Sequence, residues 1–382
     1  MSEKKTNNNQ LVCAILSLSL LTVMAGAAVA PALNVISGHF STVDPLFIQM
    51  IVSVPALFIV VTNLAFPLFC QKIKTKALVS IGLVLYTFGG CVAGLVDNIF
   101  FVLISRALVG IGVGIIMPLS TGLLSYHFHH DKQEKLMGYS SAMNQMGGVI
   151  ATLLAGLLAH ISWRTSFLVY LMGLFSLILC LLFIPNERLH SEKTKVSGNA
   201  FKKNFLFILA IFLLMVTFFI YPTNYAMETM KDGTIPLSLV AIIMAGMDLI
   251  AFFGGLAFVH INRVFKEKAK YTAPVLFLVG YGFMALSGGW FGNILGSAII
   301  GFANGAGVPY IMSAASKKEG KMAAVTVMPL ISAALYLAQF LTPLIVSAIT
   351  WLLGGFHIPH LPYFIAMGSG ILMLLTIWRI RE

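Results

Sequence analysis

Twelve stretches of roughly twenty apolar residues, separated by short polar turns, fill nearly the whole of this 382-residue chain. A backbone crossing about 30 Å of hydrocarbon must satisfy its own amides, and an α-helix of about twenty residues does so. The stretches run approximately over 11–33, 46–69, 75–96, 99–124, 136–160, 164–185, 203–226, 236–260, 270–289, 293–315, 322–352 and 361–379. Hydrophobic residues make up 59% of the sequence and charged residues only 10%, with mean hydropathy +0.94. A soluble domain of this length cannot carry that balance, so the expected solvent is lipid and the expected fold all-α.

The formal charge of +11 invites a nucleic-acid reading, but the placement of the basic residues excludes it. All Lys and Arg except Arg106, Arg164 and Lys231 fall in the tails or in alternate loops. Positive loops mark the cytoplasmic side, so an even number of spans puts both termini in the cytoplasm of a cell-membrane protein. Lys4, Lys5 and the following apolar run ending in Ala28-Val29-Ala30 resemble a cleavable leader. Pro31 disfavours cleavage there, and the segment is read as a retained first span. Cys13, Cys70, Cys91 and Cys180 lie in or beside spans without paired spacing and imply no disulfide framework.

The second half repeats the first. Adding 191 takes Pro31 to Pro222, Gly89 to Gly280, Gly110 to Gly301, Gly114 to Gly305 and Pro118 to Pro309, and carries the basic loop at Lys72 onto that at Arg263. Pro55 and Pro67 break the pattern, falling on Gly246 and Phe258. Two parallel six-helix halves place a substrate site between them at mid-membrane, and transport proceeds by rocking. The expected organisation is a six-helix bundle over 1–185, a cytoplasmic connector over 186–203 containing Ser197-Gly198-Asn199, and a second bundle over 204–382.

The fourth span carries Arg106-x-x-x-Gly110-x-x-x-Gly114 ahead of Pro118, and Trp163-Arg164-x-x-Phe167 opens the sixth. With the twelve-span duplicated layout, these residues resemble the major facilitator superfamily, in particular its drug:proton antiporters and metabolite exporters. The resemblance implies proton-coupled export by alternating access. Two features depart from it. In the loop after span two, Pro67 stands for the family's Gly and Gln71 for its Asp, leaving Lys72 and Lys76 to keep the basic character. In span five, Gly147-Gly148 lacks the antiporter proline.

Ionisable groups inside the membrane cost roughly 3 kcal/mol on insertion scales and are functional candidates by default. Arg106 shares a helix face with Gly110 and Gly114; it reads as a cavity cation governing proton or anion binding, or as a structural arginine bonded to backbone carbonyls. Asp248 lies mid-span on a face with Ala241, Ala245 and Gly255 and is the expected proton carrier, pairing with Arg106 in one state and not the other. The alternative is a permanently bonded aspartate. Asp44, Asp97, Glu228 and Asp232 read as solvated loop charges, with a gate at Glu228 as the sharper possibility.

Tyr221, Asn224 and Tyr225 share one helix face, as do Tyr336 and Gln339, while Asn144 and Asn304 occupy spans five and ten. Each alone is equally interhelical glue; together they describe a mostly apolar cavity suited to an amphipathic organic solute. His127, His129 and His130, although followed by Asp131, and His357 with His360 have no carboxylate or cysteine completing a recognisable metal site. The glycine-rich stretches lack a phosphate-loop lysine. No cofactor, metal or catalytic constellation is expected. The chain is read as a monomeric transporter exchanging protons for a small-molecule substrate. The alternatives are a symporter or uniporter importing a metabolite or sugar and, less well supported, a membrane sensor.

Overall fold

The computed structural model describes residues 8–70, 72–128, 130–188, 198–233, 235–286, 289–319, 327–353 and 358–380. Among them there is helix and no strand. The elements are α1 (Asn8–Ala27), α2 (Leu33–His39), α3 (Pro45–Cys70), α4 (Thr75–Val92), α5 (Ile99–His127), α6 (His130–Ala159), α7 (Met172–Phe183), α8 (Gly198–Asp232), α9 (Leu237–Phe265), α10 (Thr272–Leu286), α11 (Gly289–Glu319), α12 (Met328–Leu352) and α13 (Leu361–Arg379). Short 3-10 turns join α1 to α2, lead into α7 at Thr165–Leu171 and link α9 to α10. Twelve segments among the described residues are long and apolar enough to cross a membrane, the first made of α1 and α2 together.

Local chemistry sets the helix ends. Asn98 caps α5 by accepting from the Phe100 amide at 2.9 Å, and Asp44 starts α3 by accepting from the Leu46 amide at 2.8 Å. These contacts satisfy amides that have no partner within the helix. Pro31 sits in the 3-10 turn Ala30–Ala32, where the first span breaks; it has no amide proton to extend the helical ladder. Its counterpart Pro222 is accommodated inside a continuous α8.

Contact density divides the chain into two compact units, Met1–Val35 with Val54–Lys193, and Ile36–Ser53 with Thr194–Glu382. In the first, α1 packs on α5, α6 and α7, and α4 packs on α5 and α7. In the second, α8 packs on α11, α12 and α13, and α10 packs on α11 and α13. These are the same pairings displaced by six spans. The repeated glycines sit in equivalent crossings: a Cβ on Gly110 would strike the Pro55 carbonyl of α3, and one on Gly301 the Met247 carbonyl of α9. Gly114 and Gly305 repeat the relation one turn later, against Thr62 and Ala251. Small residues let helix backbones approach where lipid supplies no hydrophobic drive between helices. Large apolar side chains such as Phe175, Leu182, Leu256 and Trp378 point outward, as a lipid-facing surface requires.

The expected connector divides. Residues from Gly198 onward belong to α8, 189–197 lie outside the described residues, and Glu187 is fastened to the first unit. Its carbonyl accepts from both the Thr75 amide (2.7 Å) and hydroxyl (2.8 Å), and its carboxylate lies 3.3 Å from His127 Nε2.

Candidate functional site: polar clusters in the two units

In the first unit the first-span break exposes a carbonyl. The Val29 amide turns to Gly26 O at 3.3 Å instead of continuing the helical ladder to Ala25, so Ala25 O needs another donor. Two supply it: the Arg106 guanidinium and the Tyr170 hydroxyl, the latter at 2.8 Å. Arg106 also donates to the Tyr170 oxygen at 2.6 Å, lies 5.1 Å from that ring's centroid, and is wholly buried. The guanidinium ties α5 to the bend of the first span and to the sixth. Nearby on α6, Asn144 Oδ1 accepts from Thr22 at 2.6 Å, which occupies its carbonyl with a neighbouring helix.

In the second unit, Pro222 withdraws the amide that would serve Phe218 O. The Tyr281 hydroxyl lies 2.6 Å from Thr217 O and 3.4 Å from Phe218 O, covering the opened ladder. Tyr221 and Tyr225, both buried, stack at 4.6 Å with 14° between rings. The Tyr221 hydroxyl is 2.8 Å from Ser297 Oγ on α11. Asp248, half-buried on α9, lies within electrostatic reach of Tyr221. Asn304, also on α11, keeps a buried Oδ1 with no hydrogen-bond donor. On α12, Gln339 Nε2 points at Met215 Sδ, 3.8 Å away, and Tyr336 is half-buried one turn earlier. Helices α8, α9, α11 and α12 therefore each bring a polar group into this unit's apolar interior.

Asn224 turns to a different place. Its Oδ1 accepts from Gln49 Nε2 at 2.8 Å, in a cavity of about 890 Å³ lined also by Asp44, Glu228, Lys231 and His360. Here the reading of Glu228 as a solvated loop charge is corrected. The helix α8 runs on past Asn224 to Asp232, so Glu228 stays within it at 6% exposure, ion-paired to Lys231 at 2.6 Å and 3.9 Å from His360. Asp97 is an exposed loop residue as expected, and it gains a partner: it pairs with Arg164 at 2.5 Å, and that guanidinium lies 4.6 Å from the centroid of Trp163. Nothing in the local sequence signals either pairing across 67 residues or the burial of Glu228.

The histidines also gain neighbours invisible in sequence, His127 beside Glu187 and His360 beside Glu228. No cluster of three metal-ligating side chains occurs among the described residues. His129 and His357 lie outside the described residues, and nothing is described of the His130 side chain. Lys72 is exposed and Lys76 half-buried at the start of α4, and Pro118 and Pro309 both lie inside their helices.

Comparison with known proteins follows the same architecture. The riboflavin transporter RibZ of Clostridioides difficile is 24% identical over 147 residues, 38% of this chain and 32% of that protein. The quinolone resistance protein NorA of Staphylococcus aureus is 27% identical over 133 residues, 35% of this chain and 33% of its own length. A putative multidrug resistance protein, MdtD of Escherichia coli, is 21% identical over 272 residues, 64% of this chain and 55% of that one. The matched segments thus span about a third to a half of these relatives. Among solved structures, the nucleoside transporter NupG superposes with TM-score 0.79 at 14% identity, covering 97% of this chain and all of that one. An inward-facing, unoccupied bacterial homologue of the human lysosomal transporter Spinster gives 0.71 at 15% identity, covering 98% and 96%. The sequence profile of the Major Facilitator Superfamily matches residues 15–343, and the chain is a multi-pass membrane protein belonging to that superfamily.

Proposed function

We propose that the protein is a secondary active transporter of the cell membrane, exporting a small amphipathic organic compound in exchange for protons by alternating access. In this reading both termini and the basic loops face the cytoplasm, following the distribution of Lys and Arg. The observation that carries it is the polar set inside the second unit: the Tyr221–Ser297 hydroxyl pair, Asp248 within its electrostatic reach, and the undonated Asn304 carbonyl, all in apolar stretches of their helices. Sparse hydrogen-bonding groups in an apolar setting suit a solute that is itself mostly apolar. The relatives named for quinolone and multidrug resistance support export, and the one named for riboflavin transport supports an organic solute.

Asp248 carries the exchangeable proton in this scheme, and its protonation is read by the Tyr221–Ser297 pair. Arg106 acts as a positioning residue that holds the broken first span in register with α5. Tyr225, Tyr336 and Gln339 contribute the remaining polar contacts to substrate.

The test begins with a ligand screen by thermal stabilisation of the purified protein, since selective binding to the folded state raises its apparent stability. The best ligand is then followed in proteoliposomes under an imposed pH gradient. Export coupled to protons predicts substrate movement against proton flow, abolished in Asp248→Asn while ligand-induced stabilisation persists. Movement with the protons would assign a symporter, and indifference to the gradient a uniporter. Full gradient-driven transport by Asp248→Asn would remove Asp248 from the coupling role.

A further inference from the structure

We infer that a cavity of about 470 Å³ between α8, α9 and α11 is a binding site for an amphipathic anion: an aromatic or aliphatic body carrying a single phosphate, sulfonate or carboxylate. The site stands apart from the Tyr221–Ser297 cluster. Phe207, on its wall, precedes Tyr221 by fourteen residues of one helix, about 21 Å at the α-helical rise.

The walls are apolar and aromatic. Phe207 lines it together with Phe258 and Tyr310, which meet edge to face at 78° with ring centroids 6.4 Å apart. Lys317 and Lys318 both line the cavity, as do Asn262 and Ser313, and no carboxylate appears among the described lining residues. Consecutive helical positions point about 100° apart, and both lysines nevertheless line this one cavity.

Lys318 is also tethered. Its ammonium donates to Lys203 O at 3.2 Å and lies 5.3 Å from the centroid of the Phe207 ring. A cation fixed at the rim of an aromatic chamber is already ordered, which lowers the cost of ordering an anion beside it. Lysines in the last turn of a helix are favoured by its dipole alone, but the dipole accounts for neither the chamber nor the tether. The volume falls within the range of sites for small organic ligands. The anion is the headgroup of a membrane lipid or that of a soluble organic compound, and the chemistry is the same for both.

The experiment uses the full chain in a non-ionic detergent and three probes of one shape: naphthalene-1-sulfonate, neutral naphthalene-1-methanol and cationic 1-naphthylmethylammonium. Calorimetric titration and thermal shift should detect the sulfonate selectively. Lys317→Gln/Lys318→Gln should weaken it about tenfold, and Lys317→Arg/Lys318→Arg should retain it. Lys317→Glu/Lys318→Glu should turn the preference toward the ammonium probe. In nanodiscs, competition by phosphatidylglycerol added to phosphatidylcholine assigns the site to a lipid headgroup, and absence of competition assigns it to a soluble anion. Equal binding of all three probes, or sulfonate binding unchanged in the double Gln variant, would overturn the inference. No step depends on transport, so failure of the export reading leaves this result interpretable.

Discussion

The two units solve one problem with different chemistry. Each begins with a span carrying a proline at the same repeat position, and each must supply donors to carbonyls that the proline or its turn strips of amides. The first unit breaks its helix and covers Ala25 O with a buried guanidinium and a tyrosine; the second keeps α8 continuous and covers Thr217 and Phe218 with the neutral Tyr281. The residue 191 positions after Arg106 is Ser297, which is spared that duty and bonds Tyr221 instead. The helix pairings repeat between the units, while the carbonyl contact made by Arg106 has no counterpart at Ser297. Ser297 bonds a side chain across the second unit, whereas Arg106 of the first bonds the carbonyl at a bend.

If that asymmetry holds, Arg106→Leu gives the largest loss. Removing the guanidinium deletes its hydrogen bonds to the Tyr170 oxygen and Ala25 O, each worth about 1.5–3 kcal/mol, read as a large drop in melting temperature and in folded yield. Ser297→Ala, at the matching position, should cost about 1 kcal/mol, the value of an ordinary hydrogen bond. Equal losses would break the comparison.

The glycine crossings should behave alike in both units. Gly110→Ala and Gly305→Ala force a Cβ into a backbone carbonyl of α3 or α9, and overpacking of this kind costs about 1–3 kcal/mol. Gly122→Ala and Gly246→Ala, where a Cβ meets nothing within 4 Å, should leave the melting temperature nearly unchanged. A large effect in one unit and none in the other would show that the repeated packing is not energetically equivalent.

Tyr281→Phe removes the hydroxyl over the opened ladder of α8 and should cost about 1 kcal/mol. Arg164→Gln is expected to change least. Its pair with Asp97 is substantially exposed on both sides, and such pairs are worth at most about 1 kcal/mol, further reduced by salt. A melting temperature insensitive to salt in both the native protein and Arg164→Gln would fit this ranking.

Much of the fold was legible in advance. The span boundaries agree with the helices to within a few residues for most segments, because an uninterrupted apolar run in a lipid solvent has one way to satisfy its backbone. The α8 end was misjudged: charge at Glu228 and Asp232 reads as a loop, yet the helix carries Glu228 inward against Lys231 and His360. The Tyr221–Asn224–Tyr225 face was visible from spacing, but its division was not. The tyrosines stack while Asn224 turns to Gln49, 175 residues earlier.

The sequence by itself determined the number of spans, the duplication at 191 residues and the small residues that let helices cross, since these depend only on hydropathy, length and the absence of a side chain. Tertiary structure decided which groups meet: Arg106 with Ala25 O, Asp97 with Arg164, Lys318 with Phe207 at the mouth of a chamber. Such pairings join residues far apart in the chain, and a buried polar group takes whichever partner the packing brings within reach. No local pattern encodes that choice.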